Sequence, residues 1–181
     1  MSHRQKRIKQ KRNNMKKIII SSIVLFLSMS FVNKEDQCKD VLNDSTYIKE
    51  KKINGKINGK EYLVFEIKNR ENEYDRFLLL NINSSFICNH HSLLNTNDFQ
   101  GYSTNYLKLQ KDGFSYSIEY GSRYYYNYEF YFKFIKNNFY LKKMEIKSFD
   151  RANPKKIQSK NKIITSKVSF ERFNIENYLV D

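Results

Sequence analysis

The strongest constraint on the fold is an alternation of apolar and polar side chains with a period of two, beyond residue 60. In the segment FSYSIEY, Phe114, Tyr116, Ile118 and Tyr120 fall on one face, and two serines and a glutamate fall on the other. This period is typical of a β-strand with one buried face rather than of a helix. Runs of this kind predict strands at 61–67, 77–82, 106–110, 114–120, 128–135, 139–146 and 163–170.

Turn signals separate these runs. Lys111-Asp112-Gly113 lies between two of them and predicts a hairpin, while the charged segment 69–76 is typical of a loop. KINGKING, residues 52–59, contains two Asn-Gly pairs, each a strong hairpin-turn signal. FLLLNI, residues 77–82, is apolar throughout and predicts a central strand buried on both faces. We therefore expect an all-β, mainly antiparallel meander, built as a sandwich or an open barrel.

The N-terminus has the features of an export signal. Residues 1–30 contain eight of the 33 Lys and Arg residues and no acidic residue. The apolar run 18–31 is shorter than the ~20 residues that a membrane-spanning helix needs, and small residues precede a cleavage site after Ser30. We expect an exported protein, periplasmic or secreted. The alternative is an inner-membrane anchor formed by 18–31, and translation can begin at Met1 or at Met15.

The chain divides into three parts on this basis. Residues 1–30 are a basic leader and signal peptide, 31–59 form a polar, turn-rich segment, and 60–181 form the antiparallel β domain. Residues 31–181 contain 25 basic and 19 acidic residues, a balance that a solvated surface explains without an anionic partner. In an oxidising compartment, Cys38 and Cys88 can form one disulfide, which would close a loop of about fifty residues.

Residues 120–140 contain eleven aromatic side chains in 21 positions. Alternation predicts that Phe130, Phe132 and Phe134 are buried, with Tyr131 and Tyr125 on the opposite face. Interleaved aromatic and basic residues suit a single-strand nucleic-acid binder, but an exported protein seldom meets nucleic acid. We expect a surface that contacts a protein or a glycan instead. The predicted contact residues are Arg123, Tyr124, Tyr125, Tyr126 and Tyr131.

Catalytic and metal-binding signals are weak. The sequence contains no nucleophile-elbow, metalloprotease, phosphate-loop or dinucleotide-binding motif, and we predict no catalytic residue, metal or cofactor. The acidic side chains between Glu66 and Asp75 alternate with basic ones, as in a solvated loop. CNHH, which contains His90 and His91, lacks the spacing of a zinc site. A small hydrolase using either group remains the enzymatic alternative.

The block 105–173 resembles a group of exported bacterial proteins of unknown function. Those proteins join a strand ending in Gly-Ser to a Tyr-x-Phe strand pair, and they end on a strand that closes with Asn-Phe. The matching positions here are Phe114, Ile118, Gly121, Ser122, Tyr128, Phe130, Phe132, Phe139 and Leu141. The acidic, calcium-type segment that many of those proteins have near their start is replaced here by INGKINGKEY, so no metal site carries over.

Together these observations predict a non-enzymatic binding module of the cell envelope, whose partner is an unknown protein or glycan. An inhibitor or immunity protein of an envelope hydrolase is the more specific alternative.

Overall fold

The computed structural model describes residues 34–94, Thr104, 106–121 and 123–179. The predicted leader, its apolar run, the cleavage site after Ser30, both candidate start residues and Ser122 lie outside these residues.

Within these described residues, nine antiparallel strands form two sheets, which confirms the predicted all-β class. The first sheet has the order β1-β2-β3-β4 and the second has the order β5-β6-β7-β8-β9, so every strand pairs with its sequence neighbour. The strands are β1 (Tyr47–Ile57), β2 (Lys60–Asn69), β3 (Arg76–Ile82), β4 (Ser85–Asn89), β5 (Tyr106–Gln110), β6 (Gly113–Tyr120), β7 (Tyr124–Ile135), β8 (Asn138–Asp150) and β9 (Gln158–Ser169).

Three short helical elements complete the described structure. The helix α1 (Lys34–Val41) precedes the first sheet, and two 3₁₀ turns, Phe170–Arg172 and Ile175–Tyr178, follow β9. Within the described residues, no helix is long and apolar enough to cross a membrane.

The main core lies between the facing sides of the two sheets. The second sheet contributes mostly aromatic rings, with Phe114 and Phe132 stacked at 5.2 Å between ring centroids. The first sheet contributes Val64, Leu78 and Leu80. The 3₁₀ turns close one side, where Asn89 donates its side-chain amide to two backbone carbonyls of that segment, at 2.6 and 2.8 Å. The fold is thus a sandwich whose last segment is tied to β4.

The strand β3 is buried on both faces, as its unbroken apolar sequence predicts. Leu78 and Leu80 face the main core, and Phe77 and Leu79 face outward into a second, smaller core. Val41 of α1 packs against this smaller core. The helix therefore forms a third layer over the outer face of the first sheet, because a strand that is apolar on both sides needs cover on both sides.

A disulfide joins this third layer to the sheet. Cys38 of α1 bonds to Cys88 of β4, with 5.5 Å between their Cα atoms and a sequence separation of 50. The bond confirms the predicted pairing. A helix of eight residues is too short to be stable alone, so the covalent link and the apolar contacts hold it in place.

Two strands escaped the sequence analysis, namely β1 and β4. β1 begins at Tyr47, inside the segment 31–59 that was expected to be polar and turn-rich, so the first sheet starts ahead of residue 60. β1 lies at the edge of the first sheet and is rich in lysine, and β4 has only five residues. Edge strands of this kind carry little apolar alternation, which is the signal that the prediction used.

Only one of the two Asn-Gly pairs forms a turn. Asn58 and Gly59 connect β1 to β2 with positive φ angles of 52° and 78°, as a two-residue hairpin of type I′ requires. Gly55 lies within β1, where a Cβ atom would come within 2.3 Å of the Tyr62 ring. The hydroxyl of Tyr62 in turn donates to the carbonyl of Gly113 at 2.6 Å. Gly55 is therefore required for packing between the sheets rather than for a turn.

We expect loss of the disulfide to lower the free energy of unfolding by about 4 kcal/mol, because a loop of this length gains entropy in the unfolded chain. Urea unfolding with and without reductant measures the difference. The double variant Cys38→Ser/Cys88→Ser is the control and should not respond to reductant. An unchanged midpoint on reduction of the wild-type protein would contradict the stabilising role.

We expect Gly55→Ala to destabilise the fold by about 1–3 kcal/mol, because the added methyl group overlaps the Tyr62 ring. A double-mutant cycle with Tyr62→Leu tests the cause, since removing the ring should recover part of the loss. Asn54→Ala, at the exposed neighbouring position, is the control and should change stability little. Additive effects of the two substitutions would show that the contact is not responsible.

Candidate functional site

A column of aromatic side chains runs along the inner face of β7 from the core to the surface. Phe132, Phe130 and Tyr128 are at most 2% exposed, Tyr126 is half-buried and Tyr124 is 55% exposed. Phe occupies the buried end of the column. Tyr occupies the end that reaches the surface, where its hydroxyl can contact water. The Tyr126 ring stacks on Tyr120 at 5.3 Å between centroids.

The exposed end of this column lines a cleft of about 420 Å³. Cross-strand pairing explains its composition, because Tyr124 lies opposite Asp150 on β8 and Tyr126 lies opposite Ser148, which in turn lies opposite Gln158 on β9. The loop 151–157 contributes Lys156. The cleft thus combines aromatic rings with side chains that donate or accept hydrogen bonds.

The one acidic group among the residues that line the cleft is balanced by an arginine. Asp150 accepts a hydrogen bond from the backbone N–H of Ala152 and lies 3.4 Å from the guanidinium of Arg123, and both contacts lower the pKa of its carboxyl group. The Arg123 guanidinium also lies over the Tyr124 ring, at 5.6 Å from the centroid. Asp150 is therefore ionised and paired at neutral pH, and Lys156 leaves the cleft with positive charge.

The predicted contact residues do not form one surface. Tyr124 and Tyr126 line the cleft, and Arg123 flanks it. Tyr125 and Tyr131 lie on the opposite face of β7, where Tyr125 packs on Phe149 at 4.7 Å and Tyr131 joins a separate polar cluster. Alternation along a strand separates neighbours in sequence, so the prediction combined two faces of one strand.

That polar cluster lies on the outer face of the second sheet and centres on Glu129. Its carboxylate, only 7% exposed as a residue, accepts hydrogen bonds from Tyr106 at 2.5 Å and Ser115 at 2.9 Å. Burial, with the bond to Glu129, raises the pKa of the Tyr106 hydroxyl, which therefore stays protonated as a donor. The pKa of Tyr131 is raised by burial in the same way.

Ser117 is the neighbour of Glu129 on β6 and is fully buried. Within the described residues its hydroxyl makes no hydrogen bond. Ser115 and Ser117 form the polar face of β6. Tyr131 and Tyr106, their partners on the neighbouring strands, cover this face. The cluster forms part of the sheet, and its residues do not line the cleft at Tyr124.

The carboxylates of the predicted hydrolase alternative are spread over separate places. Glu66 is fully buried and contacts Lys51 at 3.3 Å, Arg76 at 3.4 Å and the backbone N–H of Thr104 at 3.2 Å. Glu71 and Glu73 are exposed in the loop after β2, and Asp75 accepts a hydrogen bond from Asn69 at 3.1 Å. Glu66 therefore joins Thr104, in the loop before β5, to the first sheet. Neither Glu71, Glu73 nor Asp75 has a contact with it among the described residues.

The CNHH segment serves the fold. Cys88 is in the disulfide, Asn89 holds the 3₁₀ segment, and the His90 ring lies 4.0 Å from that of Phe77. Burial lowers the pKa of His90. Among the described residues, no three His, Cys, Asp or Glu side chains are placed to hold a metal ion.

A second cleft, of about 560 Å³, lies near the β1–β2 and β3–β4 turns and includes Lys52, Asn54, Glu61 and Asn81. Its one aromatic residue, Tyr62, is 3% exposed and donates its hydroxyl to Gly113. It therefore presents no free ring to a ligand, and the cleft at Tyr124 is the stronger candidate. Comparison of the chain with protein-family models, curated proteins and solved structures finds no match.

We expect Glu66→Ala to destabilise the protein by about 1–3 kcal/mol, because the buried backbone N–H of Thr104 and the guanidinium of Arg76 lose an acceptor. Glu71→Ala removes an exposed carboxylate from the adjacent loop and is the matched control, with a change within about 0.5 kcal/mol. Thermal and urea unfolding measure both variants. Equal stability of Glu66→Ala and wild type would show that the ion pairs do not support the fold.

Proposed function

We propose that this protein is an exported, non-enzymatic binding module of the cell envelope that holds a glycan in the cleft at Tyr124. The observation that carries the proposal is the composition of this cleft, where exposed and half-buried tyrosine rings adjoin Ser148, Gln158 and Lys156.

A glycan fits this composition for a chemical reason. A sugar ring has an apolar C–H face, which packs on an aromatic ring, and a rim of hydroxyl groups, which need hydrogen-bond partners. Tyr124 and Tyr126 offer rings with polar tips, and Ser148 and Gln158 offer donors and acceptors at neighbouring register positions. The volume lies within the range of small-ligand sites.

The distribution of exposed apolar side chains favours a cleft ligand over a flat protein partner. In the described part of the chain, the large exposed apolar residues are Leu109, Tyr124, Ile157 and Ile163. Leu109 lies on β5 and Ile163 on β9, at opposite edges of the second sheet. Scattered residues of this kind are normal on soluble surfaces, whereas protein docking sites are contiguous.

Export is supported by the leader composition, by the resemblance of block 105–173 to exported bacterial proteins, and by the disulfide. Structural disulfides persist in oxidising compartments and are rare where thiols are kept reduced. If the leader is cleaved after Ser30, the domain is released from the membrane. If 18–31 is retained as an anchor, the same domain stays attached on the outer side of the membrane.

Screening of the disulfide-bonded protein against an oligosaccharide array, followed by calorimetry on the tightest ligand, tests the proposal. We expect Tyr124→Ala to weaken binding at least about tenfold, a change of about 1.4 kcal/mol, because the exposed ring supplies the stacking face. Chemical-shift changes should concentrate in the amides of β7, β8 and the loop 151–157.

Ile163→Ala is the matched control, because it removes an exposed apolar side chain outside the cleft and should leave affinity unchanged. Absence of any oligosaccharide ligand, or equal affinity of Tyr124→Ala and wild type, would overturn the glycan assignment. Tight binding of an envelope protein at the same residues would replace the glycan by a protein partner.

A further inference from the structure

The excess positive charge of the segment 31–181 lies in one part of it. Residues 142–167 contain nine Lys and Arg residues and two acidic residues, a net charge of +7. The rest of 31–181 has 16 basic and 17 acidic residues. The mild positive charge of the domain is therefore a property of one edge, made by β8, β9 and the loop that joins them.

The register of β9 places part of this charge beside the cleft. Gln158 lies opposite Ser148, Lys160 lies opposite Ile146, and Lys162 lies opposite Met144. These three β8 residues are on the inner side of their strand. Residues two apart along a strand share a face, so Lys160 and Lys162 extend from Gln158 on the side where the cleft opens. Lys156 lines the cleft itself.

No acidic side chain of the described residues pairs with these three lysines. Lys156, Lys160 and Lys162 are exposed, and none takes part in an ion pair with a described residue. Two of the three lysines of β8 differ, because Lys143 and Lys147 pair with Glu145 on the outer face, at 3.5 and 3.3 Å. Successive β9 lysines two positions apart lie about 7 Å from each other along the strand.

Lysines on an edge strand also prevent pairing with other chains, and β9 is the outer strand of its sheet. That role explains Lys160 and Lys162. It does not explain Arg151, Lys155 and Lys156, which lie in the loop and protect no strand edge. A row of unpaired charge that begins in a cleft and continues along a strand is suited to a linear ligand of opposite charge.

We infer that the ligand of the cleft is an acidic glycan, with carboxylate or phosphate groups repeated along its chain. One unit packs on Tyr124 beside Lys156, and the chain continues over Lys160 and Lys162. The inference rests on the proposed function, and it adds the charge and the direction of the ligand.

The test compares a galacturonate hexamer with its full methyl ester, which has the same backbone without the charge, and with a phosphodiester-linked hexose oligomer. We expect the free acid or the phosphate oligomer to bind and the ester to bind at least about tenfold more weakly. Affinity should fall by about twentyfold between ~50 and ~200 mM salt, as expected when three lysine contacts release about two counterions. Lys160→Gln/Lys162→Gln should weaken binding, and Lys111→Gln/Lys136→Gln, with the same charge change at turns elsewhere in the sheet, should not.

The outcomes separate the two proposals. Equal, salt-insensitive binding of the acid and the ester, abolished by Tyr124→Ala, would overturn the acidic assignment and leave the glycan cleft in place. Binding that needs the β9 lysines but not Tyr124 would overturn both, because the ligand would then bypass the cleft. Tighter binding of single-stranded DNA of equal charge would overturn the acidic glycan in favour of a nucleic acid.

Discussion

The rest of the structure depends on the packing of aromatic rings between the two sheets. Phe132 stacks on Phe114 across the strand pair and meets Phe173 edge-on at 5.3 Å between centroids. Phe173 comes from the segment after the last strand, so the core is complete only when the end of the domain folds back over it. Buried rings remove large apolar areas from water, and Asn89 satisfies the backbone carbonyls that this closing segment buries.

Alternation predicted most of the second sheet because that sheet has one apolar and one polar face. It predicted β3 for the opposite reason, since a strand that faces two cores has no polar face at all. It could not find β1, whose lysines lie at a sheet edge. The sequence also could not show which of the two Asn-Gly pairs forms the turn, because the role of Gly55 depends on the Tyr62 ring that lies against it.

The candidate site was predictable in part. The prediction from sequence named Tyr124 and Tyr126 as contact residues, but it grouped Tyr125 and Tyr131 with them, although strand geometry directs these to the other face. It missed Ser148 and Gln158, which become neighbours of the tyrosines only through strand pairing. The concentration of charge in 142–167 was visible in the sequence, but its position beside a cleft depends on the register of β9.

The disulfide between α1 and β4 makes the surface of this protein depend on redox conditions. Phe65, Ile67, Phe77 and Leu79 are covered in part by Val41 of an eight-residue helix, and one covalent bond fixes that helix to the sheet. In a reducing environment the helix can leave the sheet and uncover an apolar surface, which promotes aggregation and recognition by chaperones and proteases. The disulfide therefore keeps this apolar surface covered.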